Sequence, residues 1–342
     1  MNPKTICLIP GDGIGQEVIP ATAEVLQSMN LNLRFVEAEA GFAYFQRHGE
    51  ALPPETLELA RQADAVLFGA TASPSGPMPG YRSPILALRR EFDLYANLRP
   101  VASLPGEFSR PGIDLLIVRE NTEGLYSGRE RREGDTAIAE RVITRRGSER
   151  IVRVACEQAR QHAQRRGRPA TVTIVHKANV LKITDGLFRE CALQIAAEYP
   201  DIAIQELLVD AAAMKLVKAP QSFDVIVTTN LFGDILSDEA SALVGGLGVA
   251  PSANLGQGTP VFEPVHGSAP DIAGQGIANP IGALLSAALM LETLGEQQAA
   301  EQLRQAVFAT LEEGLCTPDL GGSATTAQFT QRVRIYLQEL RS

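Results

Sequence analysis

Three arginines stand where strands or helices are predicted to end: Arg89 and Arg99 in ALRREFDLYANLRP, and Arg119 at the close of IDLLIVRE. A guanidinium fork matches a carboxylate through two parallel hydrogen bonds. An arginine just past an apolar strand sits at the sheet edge where α/β folds bind ligands, although three solvated surface arginines would have the same spacing. Asp234 and Asp238 in NLFGDILSDEAS are four apart, which places both on one helical face. Like charges there cost about 0.2–0.5 kcal/mol unless a cation offsets them, and Mg²⁺ or Mn²⁺ with oxygen ligands would do so. The preference of helix N-termini for acids explains Asp234, but explains Asp238, a turn deeper, less well. Lys177 in VHKANVLK is either a solvated strand cap or, if burial and nearby cations lower its pKa, a general base. Tyr126 in RENTEGLYSG is a packing residue or a phenolic acid.

Two further stretches are rich in glycine. FEPVHGSAPDIAGQGIANP sets Glu263, His266, Asp271 and Asn279 among small residues, in a loop too long for a mere connection. Its glycines permit close backbone approach to a ligand. Near the start, GDGIGQE follows an apolar run and precedes a helical pattern, with Glu37 and Glu39 roughly 20 residues on, as in a dinucleotide-binding turn. The spacing fails that test. A third glycine or alanine should stand at Gln16, and Gly15 comes one place early.

The elements that must position these residues alternate. TICLIP, ADAVLFGA, IDLLIVRE, ATVTIVH and FDVIVTTN are short, β-rich and mostly without in/out alternation, as expected for strands covered on both faces. Helical patterns lie between them over Gly15–Met29, Pro84–Phe92, Ser148–Arg165, Lys182–Tyr199 and Leu231–Val244. This order predicts an α/β fold with a mainly parallel sheet. RERREGDTAIAERVITRR lacks helical periodicity and reads as a hairpin or arm, either a solvated excursion or a dimer clasp. ANPIGALLSAALMLETLG is apolar nearly all round, so it belongs in a core or a subunit interface. Thr325 or Thr326 is placed to cap a last helix.

At 342 residues the chain suits two domains or one large α/β domain. A net charge of −9 argues against nucleic acid or an anionic membrane as partner, so an anionic substrate needs a local cluster of cations. No apolar run approaches the roughly 20 residues that span a bilayer, and the N-terminus has neither signal nor transit character, so a cytoplasmic location is expected. The four cysteines lack CxxC spacing and read as small buried or incidental residues of a reducing compartment.

Taken in order, IPGDGIGQEV, LRREFDLYANLRP, RENTEGLY, HKANVLK, DVIVTTNLFGDILSD and EPVHGSAPDIAGQGIANP resemble the motifs of the β-decarboxylating dehydrogenases, the isocitrate, isopropylmalate and homoisocitrate enzymes. The resemblance implies an isocitrate/isopropylmalate dehydrogenase-like fold, not a Rossmann fold, with two α/β domains around a central cleft. Residues 1–98 plus 250–342 would form the cofactor-side domain. Residues 99–249 would form the dimerisation and metal domain, with an arm near 125–146 interlocking two subunits of a homodimer and pairing of dimers into tetramers left open. By the same resemblance Arg89, Arg99 and Arg119 hold the carboxylates of a malate moiety, with Asn179 also at the substrate. Asp210, Asp234 and Asp238 bind Mg²⁺ or Mn²⁺, and Tyr126 and Lys177 are the catalytic pair. Lys177 and Asp210 would come from the neighbouring subunit. Ile14, Ala70, Thr71, Glu263, His266, Gly267, Ser268, Ala269, Asp271, Ile272 and Asn279 would hold the cofactor. Asp271 stands where users of NAD and NADP differ. Its carboxylate accepts from both ribose hydroxyls and repels a 2′-phosphate, which implies NAD.

The segment before Arg89, YRSPILALRR, faces the group on the β-carbon in this family. Arg82 and Ser83 beside Ile85 and Leu86 suit methylenes ending in a carboxylate. The implied reaction is oxidative decarboxylation of homoisocitrate, a tricarboxylic 2-hydroxy acid, to 2-oxoadipate on the aminoadipate route to lysine, with isocitrate use also open. Alternatives are 3-isopropylmalate of leucine synthesis, tartrate or D-malate, and a non-catalytic regulatory subunit. Retention of the arginines, aspartates and catalytic pair argues against the last.

Overall fold

The computed structural model describes residues 3–74, 76 and 78–340. The chain opens with β1 (Lys4–Gly11), α1 (Gly15–Ser28), β2 (Leu33–Glu37), α2 (Phe42–His48), α3 (Pro54–Gln62), β3 (Ala65–Ala70) and α4 (Pro84–Glu91). It continues through β4 (Ala96–Ala102), β5 (Asp114–Glu120), β6 (Glu130–Glu133), β7 (Thr136–Ala139), α5 (Arg145–Arg166), β8 (Thr171–His176), α6 (Thr184–Ala196), β9 (Ala203–Leu208), α7 (Val209–Lys218), β10 (Val225–Thr228) and α8 (Asn230–Ala242). It closes with β11 (Pro251–Leu255), β12 (Val261–Pro264), α9 (Ile281–Thr293), α10 (Gln297–Glu312) and α11 (Thr326–Glu339). Two compact units result. One holds Met1–Asp93, Leu104–Arg110 and Val244–Ser342; the other holds Leu94–Ser103 and Pro111–Leu243.

In the first unit the strands run β2-β1-β3-β12-β11, parallel except for β12 against β11. Ile6, Cys7 and Ile9 of β1 and Val66 and Leu67 of β3 have no exposed surface, as the continuous apolar runs predict for strands covered twice. Helix α9 lies on β3, β11 and β12, with Leu284, Ala287, Ala288, Met290 and Leu291 fully buried. Its all-round apolar sequence therefore fills the core of one chain, each large aliphatic contributing about 1.5–3 kcal/mol. The turn after β1 places Gly13 at φ 56°, where an added Cβ would stand 1.9 Å from the Ser268 carbonyl oxygen. That approach lets the Ile14 N–H donate to the same oxygen at 2.9 Å. The glycines thus serve a contact between two loops.

In the second unit the order is β4-β5-β10-β8-β9, with β4 antiparallel to β5 and the rest parallel. Helix α5 begins three residues before the periodic pattern predicts, because Thr144 caps it by accepting the Gly147 N–H at 3.0 Å. Arg145, Arg153 and Arg160 pair with Glu190, Glu198 and Asp201. The charged stretch before α5 is the expected hairpin, β6 against β7, with Arg131 bound to Glu133 and Glu140. At the C-terminal end of the chain, Thr325 caps α11 in a full capping box with Gln328.

Among the described residues no helix is long and apolar enough to cross a membrane. The cysteines are free thiols. Burial pushes Cys7 up to about 12 and Cys156 up to about 11, which makes them poor nucleophiles.

Candidate active site

The antiparallel register of β4 on β5 sets Asn97 opposite Arg119, so Asn97, Arg99 and Arg119 share the face that α8 covers. Arg119, 1% exposed, donates through Nε and Nη2 to Asn230 Oδ1 at 3.0 and 2.7 Å and through Nη1 to Asp234. Arg99 donates through Nε to Asn97 Oδ1 at 2.7 Å, and through Nη1 to Ser237 Oγ at 2.7 Å and Asp238 Oδ1 at 3.1 Å. Its Nη2 lies 3.2 Å from Asp234 Oδ1. Helix α8 comes this close because Gly233 faces Arg119. A Cβ there would stand 2.6 Å from Arg119 Cγ.

Tyr126 lies in a short 3₁₀ turn, Leu125–Ser127, and donates its hydroxyl to Asp234 Oδ2. The Arg119 guanidinium sits over its ring, 5.0 Å from the centroid. Burial first, and then the Asp234 carboxylate, raise the phenol above its ordinary value. Tyr126 therefore holds its proton through the neutral range, as an acid must. Burial also raises the Asp238 carboxyl, against the pull of Arg99.

Asp234 and Asp238 thus offer hard oxygen donors one helical turn apart, the chemistry that suits a small divalent cation. Asp210 does not join them within one chain. Among the described residues no three His, Cys, Asp or Glu side chains gather to hold a metal. Asp210, in the first turn of α7, instead accepts from Lys177 Nζ. Lys177 follows β8 and is anchored through its N–H, which donates to Asp185 Oδ2 at 2.6 Å. Asn179, two residues on, is exposed.

The remaining candidates lie in the first unit. Arg89, 7% exposed at the end of α4, donates through Nη2 to Glu263 Oε1 at 3.0 Å, and Asn254 Nδ2 donates to the same oxygen at 2.9 Å. Among the described residues the buried Nε of Arg89 has no partner. Arg82 is exposed and Ser83 half-buried, just before α4. Tyr81 anchors them by donating to the Ala72 carbonyl at 2.8 Å and packing edge-on against Phe42 and Phe45.

The turn at Ile14, the end of β3 at Ala70 and Thr71, and the loop from His266 onward are tied by the Asp12 N–H, which donates to the Ala70 carbonyl at 2.7 Å, and by two further contacts. One is the Ile14–Ser268 bond. The other is buried Asp12, which accepts the N–H groups of Phe42, Ala43 and Ala72 at 2.7, 2.9 and 2.9 Å. In that loop Gly267 and Asp271 are exposed, Ile272 is half-buried, and Ala269 takes φ 37°. His266 is lowered by burial, which keeps the imidazole neutral. Asn279 donates to Asp319 Oδ2 at 2.9 Å and accepts the Ile281 N–H at 3.0 Å.

Sequence reasoning missed Asn97, Asn230, Ser237 and Glu263 as the partners that hold the arginines. Asn230 and Ser237 stand in the same NLFGDILSD stretch that supplied the aspartates. Their signal was helical spacing from Asp234, at i−4 and i+3.

A family model described as isocitrate/isopropylmalate dehydrogenase matches residues 5–333. The chain is 56% identical over 336 residues to an isocitrate/homoisocitrate dehydrogenase of Thermus thermophilus, covering 98% of this chain and 99% of that protein. It is 49% identical to a homoisocitrate dehydrogenase of Methanocaldococcus jannaschii, covering 98% of each. It is 50% identical to a 3-isopropylmalate dehydrogenase of Methanothermobacter thermautotrophicus, covering 99% of this chain and 100% of that one. Among solved structures, isocitrate dehydrogenase from Methylococcus capsulatus superposes with a TM-score of 0.93 at 44% identity, covering 98% and 99% of the two chains.

Proposed function

Because this chain belongs to the isocitrate/isopropylmalate dehydrogenase family of β-decarboxylating enzymes, we propose that it oxidises and decarboxylates homoisocitrate to 2-oxoadipate and CO₂ with NAD, in the aminoadipate route to lysine. The observation that carries this reading is the linked cluster of Arg99, Arg119, Tyr126, Asp234 and Asp238, in which buried arginines meet carboxylates that remain partly open to solvent. Arginines held in fixed orientation bind the malate carboxylates, together with Arg89 on its Glu263 support. Lys177 accepts the proton of the substrate hydroxyl, and Tyr126, kept protonated, delivers a proton to carbon after CO₂ leaves. Asn179 contacts the substrate. Asp234 and Asp238, with Asp210 from a second copy, would hold Mg²⁺ or Mn²⁺, which when bound acidifies the hydroxyl and stabilises enolate charge. Ile14, Ala70, Thr71, Glu263, His266–Ala269, Ile272 and Asn279 would hold NAD, the hydride acceptor. Asp271 would accept from its ribose hydroxyls and repel a 2′-phosphate.

A homodimer follows from the same reading. Val180, Ile183, Met214, Val217 and Ile235 are large apolar side chains left exposed on the elements that carry Lys177, Asp210 and Asp234. Exposed apolar side chains of this size call for a partner, and a second copy covering them would receive Lys177 and Asp210. A cytoplasmic location belongs to the same reading. Arg82 and Ser83 are assigned to the distal carboxylate of homoisocitrate. The 50% identity to a 3-isopropylmalate dehydrogenase and the half-buried Ile85 and Leu86 favour 3-isopropylmalate as the second reading.

The deciding measurement is kcat/KM for homoisocitrate, isocitrate, 3-isopropylmalate and D-malate with each nicotinamide cofactor. Homoisocitrate with NAD should lead. Arg82→Ala should cost homoisocitrate far more than 3-isopropylmalate. A lead for 3-isopropylmalate, or equal efficiency with NADP, would overturn the respective assignment.

A further inference from the structure

We infer that Arg141 and Asp185 form a buried strut that sets where Lys177 stands, and so act as positioning residues for the proton transfer; the inference rests on the reading of Lys177 as the base. Arg141 lies just beyond the exposed β6–β7 hairpin, yet its side chain is only 12% exposed and that of Asp185 is 0% exposed. Arg141 Nη1 donates to Asp185 Oδ1 and, at 3.2 Å, to Thr184 Oγ1 at the start of α6. Its Nη2 donates at 2.8 Å to Thr229 Oγ1, on the residue before α8, and its Cζ lies 5.0 Å from the Phe232 ring centroid. The other Asp185 oxygen takes the Lys177 N–H. The residue after Arg141 pairs with the segment that carries Tyr126, where the Gly124 N–H donates to the Val142 carbonyl at 2.8 Å.

A buried ion pair adds little net stability over apolar packing, but removing one member strands the other. What a planar fork adds is geometry, because it addresses several acceptors at fixed angles. Lys177 has a flexible four-carbon stem, so the strut fixes where that stem starts while Asp210 meets its ammonium. In a dimer that exchanges Lys177 and Asp210, this strut joins the residue a chain lends to the helix of Asp234 and Asp238 that it keeps.

The test compares Asp185→Asn, Arg141→Lys and Thr229→Val in the full-length protein, with Lys177→Met alongside. Asp185→Asn and Arg141→Lys should lower kcat about tenfold to a hundredfold, with KM for the hydroxy acid within about threefold of wild type. Thr229→Val should lose less. Amide exchange at Lys177 should speed up about tenfold in Asp185→Asn while that of β10 stays unchanged. Turnover retained by Lys177→Met would overturn the base assignment and this inference with it. An inactive Lys177→Met beside wild-type kcat in Arg141→Lys and Thr229→Val would overturn the strut alone. Losses of kcat that merely follow a falling folded fraction would also count against it. Should Asp185→Asn fail to fold, the two milder variants carry the decision.

Discussion

Arg119 is a guanidinium with almost no exposed surface, and such a charge persists only where every direction offers an acceptor or a π face. Asp234, Asn230 and the ring of Tyr126 fill those directions, so the arginine is preorganised before any substrate arrives. Tyr126 depends on the same arrangement. With its pKa raised above the usual phenol value of about 10, activity limited by this acid should stay flat on the alkaline side up to roughly pH 10. Tyr126→Phe should lower turnover by about a hundredfold or more, read from steady-state rates, and near-normal turnover would remove the residue from the acid role. Asp114 makes a different kind of prediction. Burial pushes its carboxyl up, but hydrogen bonds from His162 and Arg166 outweigh that and bring it to about 2. A depressed carboxyl stabilises the fold above its unfolded value of about 4 and loses that contribution as the pH falls toward 2. Urea midpoints for the wild type should therefore drop through this window, and Asp114→Asn should flatten the drop.

At the scale of elements, α8 and the β4–β5 pair work as one unit because a glycine lets them touch. A glycine inside a helix costs about 0.5–1 kcal/mol relative to alanine, yet Gly233→Ala should destabilise the protein. The new methyl would meet both Cβ and Cγ of Arg119, at 2.7 and 2.6 Å. Overpacking of this sort typically costs about 1–3 kcal/mol, and moving Arg119 should raise KM for the hydroxy acid as well. Thermal denaturation with steady-state kinetics checks both, and a stabilised variant with unchanged KM would contradict the account. Between α5 and α6 the balance differs. The Arg145–Glu190, Arg153–Glu198 and Arg160–Asp201 pairs are exposed, so water and salt screen them and they add little to stability. Their use is to keep a helix of arginines from presenting a bare basic face.

At the scale of the whole molecule, an exposed apolar side chain such as Ile183, at 85% exposure, stands at the start of α6, in the segment that follows Lys177, the proposed base. If a second copy covers it, Ile183→Asp should shift the protein to monomers in sedimentation, with turnover falling in step; a fully active monomer would refute the shared site. Much of the fold was legible because β1, β3, β5, β8 and β10 are apolar runs covered on both faces, and α1, α5, α8 and α9 carry clear patterns. Strands β2 and β9 were not legible, since half-exposed edge strands mix polar and apolar residues without a run to detect. Helix α7 went unmarked, although it carries Asp210. The chemistry-bearing residue types, the failed dinucleotide-binding spacing and the family were determined by the sequence alone, because each is a matter of identity and order along the chain. Only the tertiary structure decided which acceptors hold Arg89, Arg99 and Arg119, that Asp210 meets Lys177 and not Asp234, and that Arg141 reaches from the hairpin to Asp185. Those contacts join residues far apart in the chain, and their pairing depends on strand register and helix approach, which no local pattern encodes.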